Sequence, residues 1–321
     1  MITKKTEFNH QREFCLERKE AIVVGGLNSS ELYQYSIKDR LWTQLKNIEI
    51  KDCCYAIYQI DENIYTVAKN GNVSSLLENK TYKFPSNNSS LHLELSKVGN
   101  KILMFDKSND PSRSNSESKI FDPKHFIRKD LKTVVRKIDF SATEYMGMVW
   151  ILGGCQSYGL QSVNSIQIYD PILDILKPSP IKMLCSRTQH SSITYKGRLY
   201  IFGGVDDINY EVLNSVEMYS PDTKKFVMMA PMKNARFRFG CCRIGNLVYV
   251  VGGRQYLMDN ITSMEIYNLD NNTWSDGADF PESMLVSSAC AVKHKITINK
   301  QVKMKFVEAP NHKKPFSFKL F

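Results

Sequence analysis

The chain has 321 residues, of which 42% are apolar and 24% charged, with a formal net charge of +10. That length and composition suit a large closed hydrophobic core. No run of 18 apolar residues is present, which excludes a membrane-spanning helix, and the opening MITKKTEFNHQREF has no apolar stretch of the kind a secretory signal needs. The eight cysteines are scattered, Cys53-Cys54 and Cys241-Cys242 are adjacent pairs, and there is no CxxC. This usage predicts free thiols in a reducing compartment and a cytoplasmic location.

Residues 1–20 read as a lead-in. Ala21 to Val24 then form a short apolar run that ends in Gly25-Gly26, followed by Tyr35 and, seven residues later, Trp42. The same grammar returns downstream. Val149 to Leu152 lead into Gly153-Gly154, Tyr169 and Leu176. Leu199 to Phe202 lead into Gly203-Gly204, Tyr219 and Phe226. Leu247 to Val251 lead into Gly252-Gly253, Tyr267 and Trp274. The last three double glycines lie 50 and 49 residues apart. Between Gly25 and Gly153 there is room for two more units, and two degenerate ones are found. Ile64 to Val67 end at Ala68-Lys69, with Leu76 and Tyr82 six apart. Ile102 to Phe105 end at Asp106-Lys107, with Phe121 and Arg128 seven apart. Self-similarity at a period near 50 with four short strands per unit predicts a propeller. The six units are centred near positions 25, 68, 106, 153, 203 and 252.

In each unit the expected strands run a to d from the centre outward. Strand a is an alternating run such as Ser191 to Tyr195, and strand b ends in the glycines. Strand c carries the tyrosine, and strand d carries the tryptophan or its substitute. Turn formers such as Ser220-Pro221-Asp222-Thr223 and Asp270-Asn271-Asn272 separate c from d. Glycine is expected where backbones of neighbouring blades crowd together, and the aromatics are expected to fill the gaps between blades. Side chains at Lys69, Asp106 and Lys107 predict irregular, less stable second and third blades. Ser108 to Ser118 reads as a polar surface loop. A ring must close or leave a strand edge open, and Val286 to Val292 look like the missing inner strand of the first blade. The rival candidate for that strand is Phe14-Cys15-Leu16. Residues 293–321, with eight lysines against Glu308, read as a solvated basic tail, with neither membrane nor nucleic acid expected as a partner.

The four apolar residues, double glycine and spaced aromatics resemble the kelch repeat over roughly residues 21–292, with the best likeness to the kelch domain of the BTB–kelch (kelch-like) proteins. The resemblance implies an all-β, six-bladed propeller with four antiparallel strands per blade, closed by a C-terminal strand. It implies a protein-interaction module that recognises substrates for cullin-three RING ubiquitin ligases. In that arrangement BTB and BACK domains precede the propeller and bind the cullin. With about 20 residues ahead of the first repeat, no direct cullin contact is expected from this sequence. Actin binding is the alternative that other kelch proteins suggest.

No HExxH, GxSxG, P-loop or GxGxxG motif occurs, and the six histidines are dispersed without metal-ligand spacing. No cofactor or metal is expected, and a copper oxidase of the galactose-oxidase type is disfavoured. The expected partner face is made by the loops that precede strand a and those that follow strand b. From the first set come Arg187, Gln189, His190, Arg236, Phe237 and Arg238. From the second come Tyr158, Tyr210, Arg254 and Tyr256. Arginine and tyrosine dominate interface energetics. The four arginines therefore predict a basic mouth that prefers an acidic peptide, with Asp206 and Asp207 expected to neutralise an arginine internally.

Overall fold

The computed structural model describes residues 21–26, 31–45, 54–68, 71–78, 80–83, 93–106, 118–156, 161–255, 260–281, 286–292 and 305–308. They form six blades of four antiparallel strands each, with a fifth, parallel strand added to blade 2, and a two-stranded ribbon of Val205–Asp206 with Glu211–Val212. Blade 1 takes its strands a to d from Val286–Val292, Ala21–Gly26, Leu32–Ser36 and Leu41–Gln44. Blade 2 runs Cys54–Ile60, Asn63–Ala68, Val73–Ser75 and Lys80–Lys83. Blade 3 runs Leu93–Val98, Lys101–Asp106, Lys119–Asp122 and Ile127–Asp130. Blade 4 runs Ser141–Tyr145, Met148–Leu152, Ser165–Asp170 and Ile175–Lys182. Blade 5 runs Ser191–Tyr195, Arg198–Phe202, Val216–Ser220 and Lys225–Met229. Blade 6 runs Gly240–Ile244, Leu247–Val251, Met264–Asn268 and Thr273–Asp276.

Six apolar clusters hold the ring, one between each pair of adjacent blades. Ile22, Val24 and Tyr35 of blade 1 meet Tyr249, Val251 and Phe280 at the seam with blade 6. The other five join blades 1–2, 2–3, 3–4, 4–5 and 5–6. Strand b lies between two neighbours, so it is buried on both faces and reads as a continuous apolar run; Ile201 and Phe202 are fully buried. Each recurring tyrosine sits directly across from its partner seven residues on: Tyr35↔Trp42, Tyr169↔Leu176, Tyr219↔Phe226 and Tyr267↔Trp274. The ring centroids of Tyr267 and Trp274 are 4.8 Å apart, a cross-strand aromatic pair that stabilises the outer half of the blade.

The ring closes as the sequence predicts. Val286–Val292 pairs antiparallel with Ala21–Gly26, with Ala21 opposite Val292. The rival segment, Phe14 to Leu16, lies outside the described residues, as do Lys69, Lys107 and the polar stretch 108–117. Blades 2 and 3 each form four strands despite lacking the glycines. In blade 2 the Gly71 N–H donates to the Ala68 carbonyl at 2.9 Å, and strand c starts at Val73. The expected pairing of Leu76 with Tyr82 is not made. Strand c is only three residues long, and Tyr82 sits across from Val73. The basic tail also departs from expectation: Lys305–Glu308 pairs in parallel with Lys80–Lys83 as a fifth strand on the outer edge of blade 2.

Candidate functional site

The residues that precede strand a repeat in register across three blades as Lys137-Ile138-Asp139, Arg187-Thr188-Gln189 and Arg236-Phe237-Arg238. The first member of each triplet turns inward. Arg187 and Arg236 are both 0% exposed. The Arg187 guanidinium donates to the Gly203 carbonyl at 2.7 Å, to Ser215 Oγ at 3.1 Å and to Glu217 Oε1 at 2.6 Å. Arg236 repeats the set with the Gly252 carbonyl at 2.8 Å, Ser263 Oγ at 3.0 Å and Glu265 Oε1. The glutamates do more than balance charge. Glu217 accepts the Leu184 and Cys185 N–H groups and Glu265 those of Lys233 and Asn234, which fixes the loop leading to strand a.

The main chain of these arginines serves the preceding blade. The second glycine of each pair donates its N–H to that carbonyl, Gly154 to Arg187 and Gly204 to Arg236, at 2.9 Å each. Gly203 has φ +56°, and a Cβ there would stand 2.6 Å from the Arg236 carbonyl oxygen. The double glycine and the arginine one blade on are therefore two halves of one joint. Arg187 and Arg236, expected on the partner face, are corrected to this structural role: an ion pair sealed from water presents nothing to a partner.

His190 is corrected in the same way. It is buried, and its ring packs in the position that Phe140 and Phe239 hold in the adjacent blades. Among the described residues neither ring nitrogen has a hydrogen-bond partner. Burial, with the Arg187 and Lys137 charges adding to it, holds the imidazole well below its usual pKa, so the ring is neutral. Phe237 is also buried, 8% exposed, and bridges backbone-to-backbone with Arg254.

The third member of each triplet has a different geometry. Asp139, Gln189 and Arg238 adopt φ of +54°, +53° and +50°, a left-handed conformation that costs a non-glycine residue energy and persists only where its surroundings enforce it. The Gln189 N–H donates to the Asp139 carbonyl at 2.8 Å, and the Arg238 N–H donates to the Gln189 carbonyl at 3.1 Å. Each of the three immediately precedes the residue that leads into an inner strand, so together they edge one end of the central channel. All three side chains are half-buried. Gln189 Nε2 donates to Asp139 Oδ2 at 2.9 Å. Among the described residues the Arg238 guanidinium has no hydrogen bond or ion pair.

Loops after strand b flank this edge. Asp206 is buried and folds its own hairpin, accepting from Ser162 Oγ, the Ile208 N–H and Asn209 Nδ2. Asp207 accepts from Thr188 Oγ1 at 3.0 Å. Burial raises the Asp207 carboxyl above its usual range, the Thr188 bond opposes this, and the Asp139 and Asp206 charges add to it. The described bonds of Asp206 and Asp207 involve no arginine, so the expected internal neutralisation is replaced by hydroxyl, amide and main-chain partners. Among the described residues the edge from blade 4 to blade 6 carries Asp139 and Asp207 as well as Arg238. Arg254 is half-buried across from Phe237, its Nε donating to Asn260 Oδ1 at 3.1 Å. Tyr210 projects from the blade 5 hairpin, 93% exposed. Tyr158 and Tyr256 lie outside the described residues.

Asp139 was not singled out by sequence reasoning, nor were Lys137, Glu217 and Glu265. The signal was present as the spacing of Asp139, Gln189 and Arg238, which matches that of the double glycines. Among the described residues no group of three or more His, Cys, Asp or Glu is arranged to hold a metal ion, and no helix is long and apolar enough to cross a membrane.

Comparison with known proteins matches the family model described as the kelch motif at residues 186–233 and 235–281. The chain is 33% identical to human Kelch-like protein 26 over 72 residues and 36% identical to rat Kelch-like protein 38 over 74 residues, in each case over 22% of this chain. These stretches span 12% and 13% of the relatives' own lengths. The fold is similar to that of the solved structure of YjhT, with a TM-score of 0.52 at 11% identity over 61% of this chain and 68% of that one.

Proposed function

We propose that the chain acts as an interaction propeller of the kelch-like type and that the channel mouth edged by Asp139, Gln189 and Arg238 recognises a protein partner. The kelch motifs and the kelch-like relatives support a protein-interaction propeller in general. The observation that carries the choice of site is the left-handed backbone at three repeat-equivalent positions just ahead of the inner strands, linked by the Gln189–Asp139 side-chain bond and the Arg238–Gln189 main-chain bond. Strain of this kind concentrates at ligand-holding positions. The finer reading is that the partner is a substrate delivered to a cullin-three RING ubiquitin ligase in the cytoplasm. It follows from the resemblance to the kelch-like proteins and asks no catalytic step of the propeller itself.

The test is affinity purification from the native cell of the wild-type chain and of the double variant Gln189→Ala/Arg238→Ala, with thermal melts of both. The expected result is a partner lost from the variant at an unchanged melting temperature, whose half-life in the cell lengthens when the chain is depleted. The same set of captured proteins from both forms would remove the mouth as the binding site. A lost partner whose half-life does not depend on the chain would keep the site and refute the ligase role.

A further inference from the structure

Among the described residues five blades end at strand d, whereas blade 2 continues, with Lys305–Glu308 added in parallel to Lys80–Lys83. A blade is therefore complete with four strands, and the added segment answers to a property of this edge rather than to closure of the ring. The edge is held firmly from behind. Thr81 Oγ1 shares a hydrogen bond with Ser74 Oγ at 2.9 Å, and the Tyr82 ring lies 4.7 Å from that of Phe126 in blade 3. Thr81 and Tyr82 are both buried, and no other strand d has two buried residues in succession. The flanking Lys80 and Lys83 are exposed. Lysines on an edge discourage it from pairing with its own copy. The register shows what this edge does accept. Phe306 and Val307 lie across from Thr81 and Tyr82, and the acid Glu308 lies across from Lys83. Lys305 falls across from Lys80, whose ammonium is paired with Glu78 at 3.4 Å.

We infer that the outer edge of blade 2 is a strand-accepting binding site for an extended segment of another protein, and that Lys305–Glu308 is its resident occupant, which the partner displaces. The partner adds in parallel, with two apolar residues across from Thr81 and Tyr82 and a carboxylate across from Lys83. Main-chain bonds to a sheet edge give such an addition its affinity, and the side chains give it selectivity. Four residues make few of these bonds, and ordering them costs conformational entropy. The resident strand is therefore held largely by its tether, which presents it at a roughly millimolar effective concentration. A partner segment has only that concentration to outcompete. The site is separate from the channel mouth, and neither depends on the other.

The test uses the full chain and a fluorescent peptide of residues 301–312, read by fluorescence anisotropy. In the full-chain variant Phe306→Pro/Val307→Pro the resident segment cannot complete its ladder. Successive residues of a strand bond to opposite sides, so one of the two prolines removes an N–H from the paired side. The peptide should bind this variant and bind the wild-type chain at least ten-fold more weakly, with closely similar melting temperatures for the two chains. A peptide carrying the same two prolines should bind neither. Adding Lys83→Glu to the variant should weaken the wild-type peptide roughly five-fold, and a Glu308→Lys peptide should recover the loss. No binding to the variant, or equal binding to both chains, would overturn the site. Equal binding of the proline peptide would overturn strand addition, and a charge exchange without recovery would overturn the selectivity at Lys83. A variant that melts well below the wild-type chain would make the fifth strand a part of the fold instead of a displaceable occupant.

Discussion

His190 occupies a slot that its neighbours fill with phenylalanine, and the exchange has a thermodynamic consequence. Its imidazole is buried, without partners among the described residues, and held well below its usual pKa of about 6.5. Because the folded value is the lower one, the unfolded chain binds the proton first as the pH falls. The contribution of this ring to stability is therefore constant above about pH 6.5 and declines below it. His190→Phe should remove that decline and raise stability at pH 7 by about 1 kcal/mol, since two unsatisfied ring nitrogens are replaced by the apolar edge seen at Phe140 and Phe239. Thermal melts between pH 5 and 8 read the outcome. Parallel pH profiles for the two proteins would mean that the buried ring does not govern acid sensitivity.

Blade 4 carries a second exchange at the same scale. Where the other blades hold Arg187 with Glu217 and Arg236 with Glu265, it holds Lys137 with Gln167. Lys137 Nζ reaches the Gly153 carbonyl at 3.1 Å and Ser165 Oγ at 2.9 Å, so it fills the arginine's place, but the glutamine brings no charge and its Oε1 has no partner among the described residues. Burial pushes the Lys137 pKa down to about 8. The unfolded amine takes its proton near pH 10.5, so stability is lost as the pH falls from about 10.5 to 8 and stays lost below that. The difference is on the order of 3 kcal/mol. Gln167→Glu should recover about 1 to 3 kcal/mol at pH 7 by completing the pair with the geometry already present in blades 5 and 6. An unchanged or lower urea midpoint would show that the slot cannot accommodate a carboxylate.

At the scale of the blade, the double glycine separates tolerant positions from intolerant ones. Gly203 has a left-handed backbone and meets the Arg236 carbonyl, Met232 and Phe239 within 3.0 Å of a would-be Cβ. Gly203→Val should cost on the order of 3 kcal/mol or more. Asp106 ends the corresponding strand of blade 3 with a side chain already present, and Asp106→Val should cost no more than about 1 kcal/mol. Urea unfolding of the two variants decides it, and equal losses would contradict the glycine joint. This joint was half legible in the sequence. The glycines, the run before them and the seven-residue aromatic spacing encode local strand geometry, so they read correctly. The far half was not legible, because the partner of Arg187 stands a whole hairpin away at Glu217. Which arginine of Arg236-Phe237-Arg238 turns inward depends on the left-handed backbone at Arg238, which no side-chain pattern announces. The Tyr82 register failed for a related reason: a three-residue strand c moves the outer strand relative to the repeat.

The whole molecule depends on one strand brought from the far end of the chain. Val286–Val292 covers the edge of Ala21–Gly26 and also faces blade 2, where Ser288 Oγ accepts the Ile57 N–H at 3.0 Å and Cys290 Sγ accepts that of Gln59 at 3.1 Å. On the other side of the seam Trp42 Nε1 donates to the Ala278 carbonyl at 2.9 Å, and the Trp42 ring stands edge-on to Phe280. A chain ended after residue 285 keeps that tryptophan contact but loses the inner strand of blade 1, leaving an unpaired edge and an open apolar seam beside blade 2. Open edges of this kind pair with other chains. This truncation should therefore form oligomers and lower the melting temperature by ten degrees or more, roughly what a loss of several kcal/mol implies for a domain of this size. A chain ended after Val292 is the control. It loses Lys305–Glu308 from the outer edge of blade 2 but keeps every strand of the ring, and it should stay monomeric with a melting temperature close to that of the full chain. Light scattering after size exclusion, with thermal melts of both truncations, reads the difference. A monomeric 285-residue chain with an unchanged melt would mean that the ring does not need this strand, and oligomers from the control as well would shift the protective role to the fifth strand on blade 2.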